Sequence, residues 1–321
     1  MGVRRVIVLA LLLGALAGGA GTAGGATAGG PYLGTYGTGT LFPSASHPIK
    51  HVIVGWGQGV EWGSPFSSLL RSLGPIPMLG LNGRTTGGGE ITAGQVARGA
   101  GDAYLAALNQ AISEYGSLVY VRPWPEMDGS WNVYCAFNAS GSPRSAAHST
   151  ANFRKAFARM YLLLHGGTKQ ALDAKLRRLG LPGVNRDFPV VPRSRLRIVW
   201  NPLGWANPPV AGNAPERYYP GDAYVDVVGG DVYKTPTNVG HMTALEALAK
   251  AHPNKPFSIP EWGLQGVDDP DFVARLAEFV RTHRRTEAVV LFSRPGPYDL
   301  RTKPRSLAAY RSQLVPLGRT A

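Results

Sequence analysis

The chain has 321 residues, of which 44% are hydrophobic and 9% aromatic. This composition supports a large buried core and excludes a disordered protein, and the length does not require two domains. The formal net charge is +13, from 33 basic and 20 acidic residues, which would suit an anionic polysaccharide, an envelope surface or a nucleic acid. The basic residues are scattered, however, and form no stripe among aromatic residues, so we expect no nucleic-acid partner.

The N-terminus has the pattern of an export signal. A pair of arginines precedes an apolar run over residues 6–16, and Ala26-Thr27-Ala28 fits a signal-peptidase cleavage site. The alternative is a membrane anchor, but the run is shorter than the ~20 residues of a membrane-spanning helix. We therefore expect residues 1–28 to be removed. Residues 29–321 would then reach the periplasm or the medium as one monomeric domain with no stable insertion in the membrane.

Eight short runs are predicted to be strands. Several are almost continuously hydrophobic, which is typical of strands buried on both faces. They span residues 32–36, 51–55, 76–81, 118–122, 196–200, 225–229, 257–260 and 288–292. Cys135 is the only cysteine in the sequence, which excludes an intrachain disulfide and favours a small buried residue.

Helical patterns lie between several of these runs. Apolar residues recur at helical spacing over residues 103–115 and 150–165, and Asp269-Pro270 predicts the start of another helix. An extra helix is expected near residues 169–179. Alternating strands and helices indicate a parallel sheet, and a count of eight strands predicts a single-domain α/β protein, a (β/α)8 TIM barrel. An open, doubly wound sheet is the structural alternative.

Several cofactor motifs are absent from the sequence. There is no Gly-x-Gly-x-x-Gly fingerprint, no P-loop and no His-Glu-x-x-His motif. Gly-x-Ser-x-Gly is also missing, which disfavours an ordinary serine esterase. The sequence therefore predicts neither an organic cofactor nor a metal.

Two glutamates follow predicted strands in a way that packing does not explain. Glu126 follows the fourth strand, Glu261 follows the seventh, and each has a tryptophan close by. In a TIM barrel the C-terminal ends of the strands form the active site. Glycosidic cleavage uses two carboxyl groups, one to protonate the leaving oxygen and one to attack or to activate water. A neighbouring tryptophan would raise the pKa of the acid. The alternative is that both glutamates are solvated loop residues.

Three ordered segments resemble glycoside hydrolase family 26, the β-mannanase family. Residues 122–131, Arg-Pro-Trp-Pro-Glu-Met-Asp-Gly-Ser-Trp, resemble its acid/base motif, which typically reads Arg-Pro-x-His-Glu-Met-Asn-Gly followed by an aromatic residue. Residues 199–202 with 218–229 resemble the region of its fifth and sixth strands. Residues 255–263 are similar to its nucleophile segment, and the whole resemblance covers about residues 32 to 295.

The resemblance implies roles for individual residues. Glu126 would be the acid/base, Glu261 the nucleophile, and Tyr233 the tyrosine that contacts the nucleophile. Arg122 would orient a carboxylate, or else form a structural ion pair. The substrate-binding candidates are Arg122 itself, Asp128 and five tryptophans, some of which we expect in the core: Trp124, Trp131, Trp200, Trp205 and Trp262.

Two positions depart from the family pattern. Pro125 replaces the histidine before the acid/base and has no side-chain hydrogen bond to offer, which puts mannan specificity in doubt. Asp128 replaces an asparagine and adds a second acid that could raise the pKa of Glu126. The interpretation is a retaining glycosidase of the endo-β-1,4-mannanase type, acting on an exported polysaccharide. The alternatives are an idle polysaccharide-binding barrel and a hydrolase or lyase of an acidic exopolysaccharide.

Overall fold

A computed structural model describes residues 29–37, 41–238 and 240–320. The predicted signal peptide, residues 1–28, lies outside them. The strands are β1 (Tyr32–Tyr36), β2 (Ile49–Val54), β3 (Ile76–Leu81), β4 (Val119–Pro123), β5 (Leu196–Trp200), β6 (Val227–Gly229), β7 (Val232–Lys234), β8 (Phe257–Leu264) and β9 (Thr286–Leu291). The helices are α1 (Phe66–Ser72), α2 (Ala93–Ala97), α3 (Asp102–Tyr115), α4 (Thr150–His165), α5 (Lys169–Arg178), α6 (Met242–Ala251), α7 (Pro270–Thr282) and α8 (Pro304–Ala309).

The strands form one closed parallel barrel. Each strand from β1 to β5 pairs in parallel with the strand that follows it in sequence, and β9 pairs with β1 and so closes the barrel. Both β6 and β7 pair with β8, through Val228 with Phe257 and Val232 with Trp262. These two three-residue strands therefore occupy one barrel position, and the barrel has the eight positions that the sequence predicts.

Two apolar layers hold the barrel together. The barrel interior is filled by a small cluster that includes Met78, Tyr120 and Val290, all buried. A larger cluster lies between the strands and the surrounding helices. Because successive strand residues point to opposite faces, each strand supplies side chains to both layers. The nearly continuous hydrophobic runs in the sequence have this cause.

The helix ends follow their capping residues. The predicted helix over residues 150–165 is α4 itself; the Ser149 side chain accepts a hydrogen bond from the Asn152 amide, and Gly166 ends the helix with φ +74°. Asp269 caps α7 in the same way through the Phe272 amide. The extra helix expected near residues 169–179 is α5.

The bounds of two strands differ from those that the sequence predicts. The sixth strand begins at Val227 instead of residue 225, and the seventh continues to Leu264, so Glu261 lies within β8 and not after it. Cys135 is buried, as expected. Within residues 29–37, 41–238 and 240–320, no helix has the length and apolar character to span a membrane.

Candidate active site

The centre of the barrel mouth is a buried arginine. Arg122, near the end of β4, has no exposed surface and donates hydrogen bonds to Glu261 Oε1 at 2.7 Å and to Asp231 Oδ2 at 2.5 Å. Its Nε donates to Asn201 Oδ1 at 3.0 Å. Although burial opposes the charge, the two carboxylates raise the pKa of Arg122. A fixed cation thus holds two acids of different strands in place.

Glu261 is fixed from two sides. Its Oε1 accepts from Arg122, and its Oε2 accepts a short hydrogen bond from the Tyr233 hydroxyl. Burial, followed by the charge of Glu261, raises the pKa of Tyr233 well above its usual range, so the phenol keeps its proton. The carboxylate of Glu261 therefore has two donors that set its orientation, which is what a positioned nucleophile needs.

His51, on β2, completes this buried network. Its Nε2 lies 3.0 Å from Arg122 Nη1. A guanidinium only donates, so Nε2 accepts and the proton is on Nδ1, 3.8 Å from Glu261 Oε1. Burial, and then the Arg122 charge, lowers the pKa of His51 well below its usual value, so the ring is neutral.

Glu126 lies on a strained loop after β4. Both Trp124 and Glu126 have positive φ, at +52° and +53°, which is unusual for residues with side chains. The turn is held by backbone and side-chain bonds: Glu126 N donates to Asn201 O at 2.7 Å, and Asn132 Nδ2 donates to Glu126 O at 2.8 Å. The strain and these bonds together direct the Glu126 side chain over the barrel mouth.

The environment of Glu126 favours the protonated acid. Burial, followed by the charge of Glu261, raises the pKa of Glu126 to about 7. Arg122 and the Trp131 indole N–H, which lies 3.3 Å from Glu126 Oε2, act in the opposite direction. The charge of Asp128 adds a smaller increase in the same direction as burial. Near neutral pH this carboxyl group is therefore able to give or to take a proton.

Aromatic side chains line both sides of the mouth. On the Glu126 side, Trp131 is 50% exposed and Trp205 is 38% exposed, with ring centroids 6.5 Å apart. His241 stacks on Trp205 at 4.8 Å. Both indoles therefore have exposed apolar faces beside the mouth, and sugar binding by them stays a prediction.

On the Glu261 side, four aromatic rings form a cluster. Phe292, just after β9, packs on Tyr36 at 4.5 Å, on Tyr233 at 5.6 Å and on Tyr298 at 5.1 Å. All four rings are partly exposed. The mouth is therefore a cleft between two indoles on one side and this cluster on the other.

Three of the five tryptophans proposed to bind sugar are core residues. Trp124, Trp200 and Trp262 have no exposed surface, so the prediction that they bind substrate is wrong. Trp262 follows Glu261 in β8, and adjacent strand residues point to opposite faces, so the indole packs on Phe272 of α7. Trp200 likewise contacts Tyr219 outside the barrel interior, and Trp124 stacks on Tyr134.

Two other residues predicted to bind substrate, Arg122 and Asp128, are buried below the barrel mouth. Arg122 is fully buried and forms ion pairs with Asp231 and Glu261, so the expectation that it contacts substrate directly is corrected, and its role in orienting Glu261 stays a prediction. Asp128 is also fully buried, and its Oδ1 accepts from the Leu203 amide at 2.8 Å. Burial raises the pKa of Asp128 to about 6, against the effect of backbone donors. It therefore ties two loops together and does not reach a ligand.

Sequence reasoning missed three residues of the network: His51, Asn201 and Asp231. Burial raises the pKa of Asp231 well above its usual range, against the lowering effect of Arg122. The available sign for Asn201 and Asp231 was an amide or acid shortly after an apolar strand, whereas His51 lies inside β2 and had no such sign. His51 follows the strand residues Ile49 and Lys50, and Asn201 follows β5 directly. In the described part of the chain, no cluster of three His, Cys, Asp or Glu side chains could hold a metal ion.

The fold and this site define a class of protein. Two glutamates, one with a raised pKa and one fixed by an arginine and a tyrosine, face the aromatic mouth of an eight-stranded parallel barrel, as in TIM-barrel glycoside hydrolases. Residues 199–277 match the model of glycosyl hydrolase family 26. The matched segment contains Tyr233 and Glu261, and it includes two of the three regions whose sequence resembles that family. The acid/base motif at residues 122–131 lies outside the matched segment.

Solved structures show the same fold. A mannanase from Bacillus subtilis superposes with a TM-score of 0.51 at 17% identity, covering 89% of this chain and 86% of that one. A β-mannanase from Bacteroides ovatus gives 0.53 at 16% identity, covering 91% and 90%. A modular endo-β-1,4-mannanase from Cellulomonas fimi gives 0.52 at 16% identity, covering 91% and 74%. No curated protein sequence matches the chain. The likeness to these structures shows that the chain shares their barrel fold.

Proposed function

We propose that this protein is a retaining glycoside hydrolase acting on an extracellular or envelope polysaccharide of the β-mannan type. The observation that carries the proposal is the contrast between its two glutamates. Burial and the nearby charge of Glu261 bring the pKa of Glu126 to about 7, whereas Glu261 accepts hydrogen bonds from Arg122 and Tyr233. Paired carboxyl groups in contrasting environments are the usual sign of one acid and one nucleophile.

In the first step, a Glu261 oxygen attacks the anomeric carbon and the glycosidic bond breaks. Glu126 donates its proton to the departing oxygen, so the leaving chain departs as a neutral alcohol. Glu261 is then joined to the sugar as an ester, and Glu126 is a carboxylate. In the second step Glu126 takes a proton from water, the water oxygen attacks the same carbon, and Glu261 is released.

The surrounding residues support these steps. Arg122 and Tyr233 hold the Glu261 carboxylate before attack, and they stabilise it again when it leaves the sugar. The indole N–H of Trp131 touches the Glu126 oxygen and stabilises the carboxylate that forms after proton transfer. Trp131 and Trp205 would stack on sugar rings next to the scissile bond.

The mannan assignment rests on the resemblance of residues 122–131 and on the mannanases that share the fold. Pro125 argues against the cleavage of mannan, because its side chain cannot form the hydrogen bond of the family's histidine. An idle barrel that only binds polysaccharide is therefore the second candidate. We also propose that residues 1–28 direct export and are cleaved, and that the mature protein is a monomer in the periplasm or the medium.

The test is a screen of the purified protein against neutral and acidic polysaccharides for new reducing ends. On any substrate found, Glu261→Ala should abolish turnover. The matched control is Glu114→Gln, because Glu114 is exposed on α3 and, among the residues that the structure describes, accepts a hydrogen bond from its helix neighbour Gln110 alone. Binding of mannan without new reducing ends, by the wild-type protein, would favour the idle barrel. Turnover that survives Glu261→Ala would overturn the assignment of the nucleophile.

A further inference from the structure

An unpaired cation lies at the edge of the catalytic mouth. Arg294 follows β9 and is exposed, and its guanidinium lies over Phe292 at 5.5 Å and over Tyr298 at 5.8 Å. Within residues 29–37, 41–238 and 240–320 it forms no ion pair and no hydrogen bond. These cation–π contacts place the guanidinium beside two rings that also pack on Tyr233, the partner of Glu261.

The electrostatic environment places Arg294 within reach of the reaction centre. The pKa of Tyr36 is raised by burial and then by Glu261, and Arg294 acts on it in the opposite direction. Tyr298 has the same pattern: burial raises its pKa, Arg294 lowers it, and Glu126 and Glu261 raise it. The charges of Arg294 and of the catalytic carboxylates therefore both act on these two tyrosines of the mouth.

Other cations on the same face also lack carboxylate partners within the described ranges. Arg84, after β3, is exposed. Arg144 bonds the carbonyl oxygens of Ser130 and Asn132, on either side of Trp131, at 2.8 and 2.7 Å. Lys234, at the end of β7, bonds two carbonyl oxygens. Glu61 on the loop after β2 and Glu90 across an isolated bridge from Arg84 are exposed carboxylates on these loops, and Glu90 pairs with His148. Arg294 differs from these charges because its contacts are with the aromatic rings of the mouth.

We propose that the substrate carries carboxylate groups as hexuronate units, and that Arg294 binds one of these units beside the reaction centre. This inference rests on the proposed function, since it names the polysaccharide that the same mouth takes. A guanidinium pairs with a carboxylate through two parallel N–H···O bonds, which a neutral hydroxymethyl group cannot form. The contacts with Phe292 and Tyr298 already restrict the guanidinium, which reduces the freedom it loses when it pairs. The rim cations would draw an acidic chain towards the cleft.

Two hexasaccharides that differ in one group test the proposal. β-1,4-mannohexaose and the β-1,4-mannuronate hexamer share backbone and linkage and differ only in a carboxylate for the hydroxymethyl group at C6. Their dissociation constants are measured by calorimetry at pH 7, in low and high salt, for the full protein. The variants are Arg294→Gln and the control Arg311→Gln, because Arg311 is exposed on the C-terminal helical segment away from the mouth.

We expect the mannuronate hexamer to bind about two- to fivefold more tightly than mannohexaose in low salt, the gain of one exposed ion pair. Arg294→Gln should remove that preference, and Arg311→Gln should keep it. Added salt should weaken only the acidic ligand. The absence of a preference, or an equal effect of both variants, overturns the proposal. If mannohexaose is cleaved and no preference exists, the hydrolase assignment stands and this inference falls. A preference without cleavage of any glycan contradicts the hydrolase assignment instead.

Discussion

Replacing Arg122 by methionine should be among the most damaging single changes in this protein. Methionine approximates the length of the arginine stem and removes the charge. Asp231 and Glu261 would then face each other's charge in a buried site with no cation between them. The tyrosine bond to Glu261 would remain, but it supplies no positive charge.

The expected loss follows from the burial of the pair. Removing one partner of a buried ion pair costs about 3–5 kcal/mol, because the other charge stays buried and uncompensated. Each kcal/mol lowers the melting temperature of a domain of this size by about 2–4 °C, so Arg122→Met should melt about 6–20 °C below the wild type. The difference in melting temperature between the wild type and the variant should be smaller at acid pH. Burial raises the pKa of Asp231 and Arg122 opposes that rise, so removal of Arg122 should raise this pKa further. The variant therefore gains stability relative to the wild type as pH falls and Asp231 takes up its proton.

Thermal and urea unfolding at pH 7 and pH 4 measure this effect. Arg311→Met is the control for the loss of an arginine, because Arg311 is exposed and forms no ion pair in the described part of the chain. Asp231→Asn in the Arg122→Met background should recover part of the loss, which a double-mutant cycle quantifies. An Arg122→Met variant within about 1 kcal/mol of the wild type, the worth of an exposed pair, would refute the account of the buried network.

Four further predictions concern catalysis, substrate binding and export. The value of kcat/KM should fall as pH rises through about 7, because Glu126 loses the proton that the leaving oxygen needs; a rate that rises through that range would exclude Glu126 as the acid. Glu126→Gln should slow natural oligosaccharides far more than aryl glycosides with good leaving groups, and equal losses in steady-state kinetics would contradict this role. Trp205→Ala should raise KM by about 3- to 10-fold with kcat little changed, the worth of one aromatic stacking contact, and an unchanged KM would remove Trp205 from the binding cleft. N-terminal mass analysis of exported protein should find a start at Gly29, and an intact residue 1–28 segment would refute cleavage.

Much of the fold could be predicted because it depends on local patterns. A short stretch of sequence is enough to recognise the apolar spacing and the caps of α4. The same holds for the Asp269-Pro270 start of α7. The split of the sixth barrel position into β6 and β7 could not be predicted, because three-residue strands have no measurable periodicity. Both segments are placed by pairing with β8, a partner distant in sequence.

The candidate site was predictable where a motif carried it and unpredictable where burial decided. The resemblance pointed to the Tyr233 contact with Glu261, and the structure shows that hydrogen bond. Adjacent strand residues point to opposite faces, so Trp262 packs towards the helices when Glu261 faces the mouth. The sequence alone does not show which of the two residues faces inward. Asp231 was missed because only the barrel brings it to Arg122, which is 109 residues away in sequence.

The measurement that tests the central claim most directly is the anomeric configuration of the first product, followed by proton NMR during hydrolysis of a β-linked oligosaccharide. Double displacement through Glu261 predicts that the β-anomer appears first and mutarotates afterwards. Initial appearance of the α-anomer would mean a single displacement by water, and it would contradict the assignment of Glu261 as nucleophile.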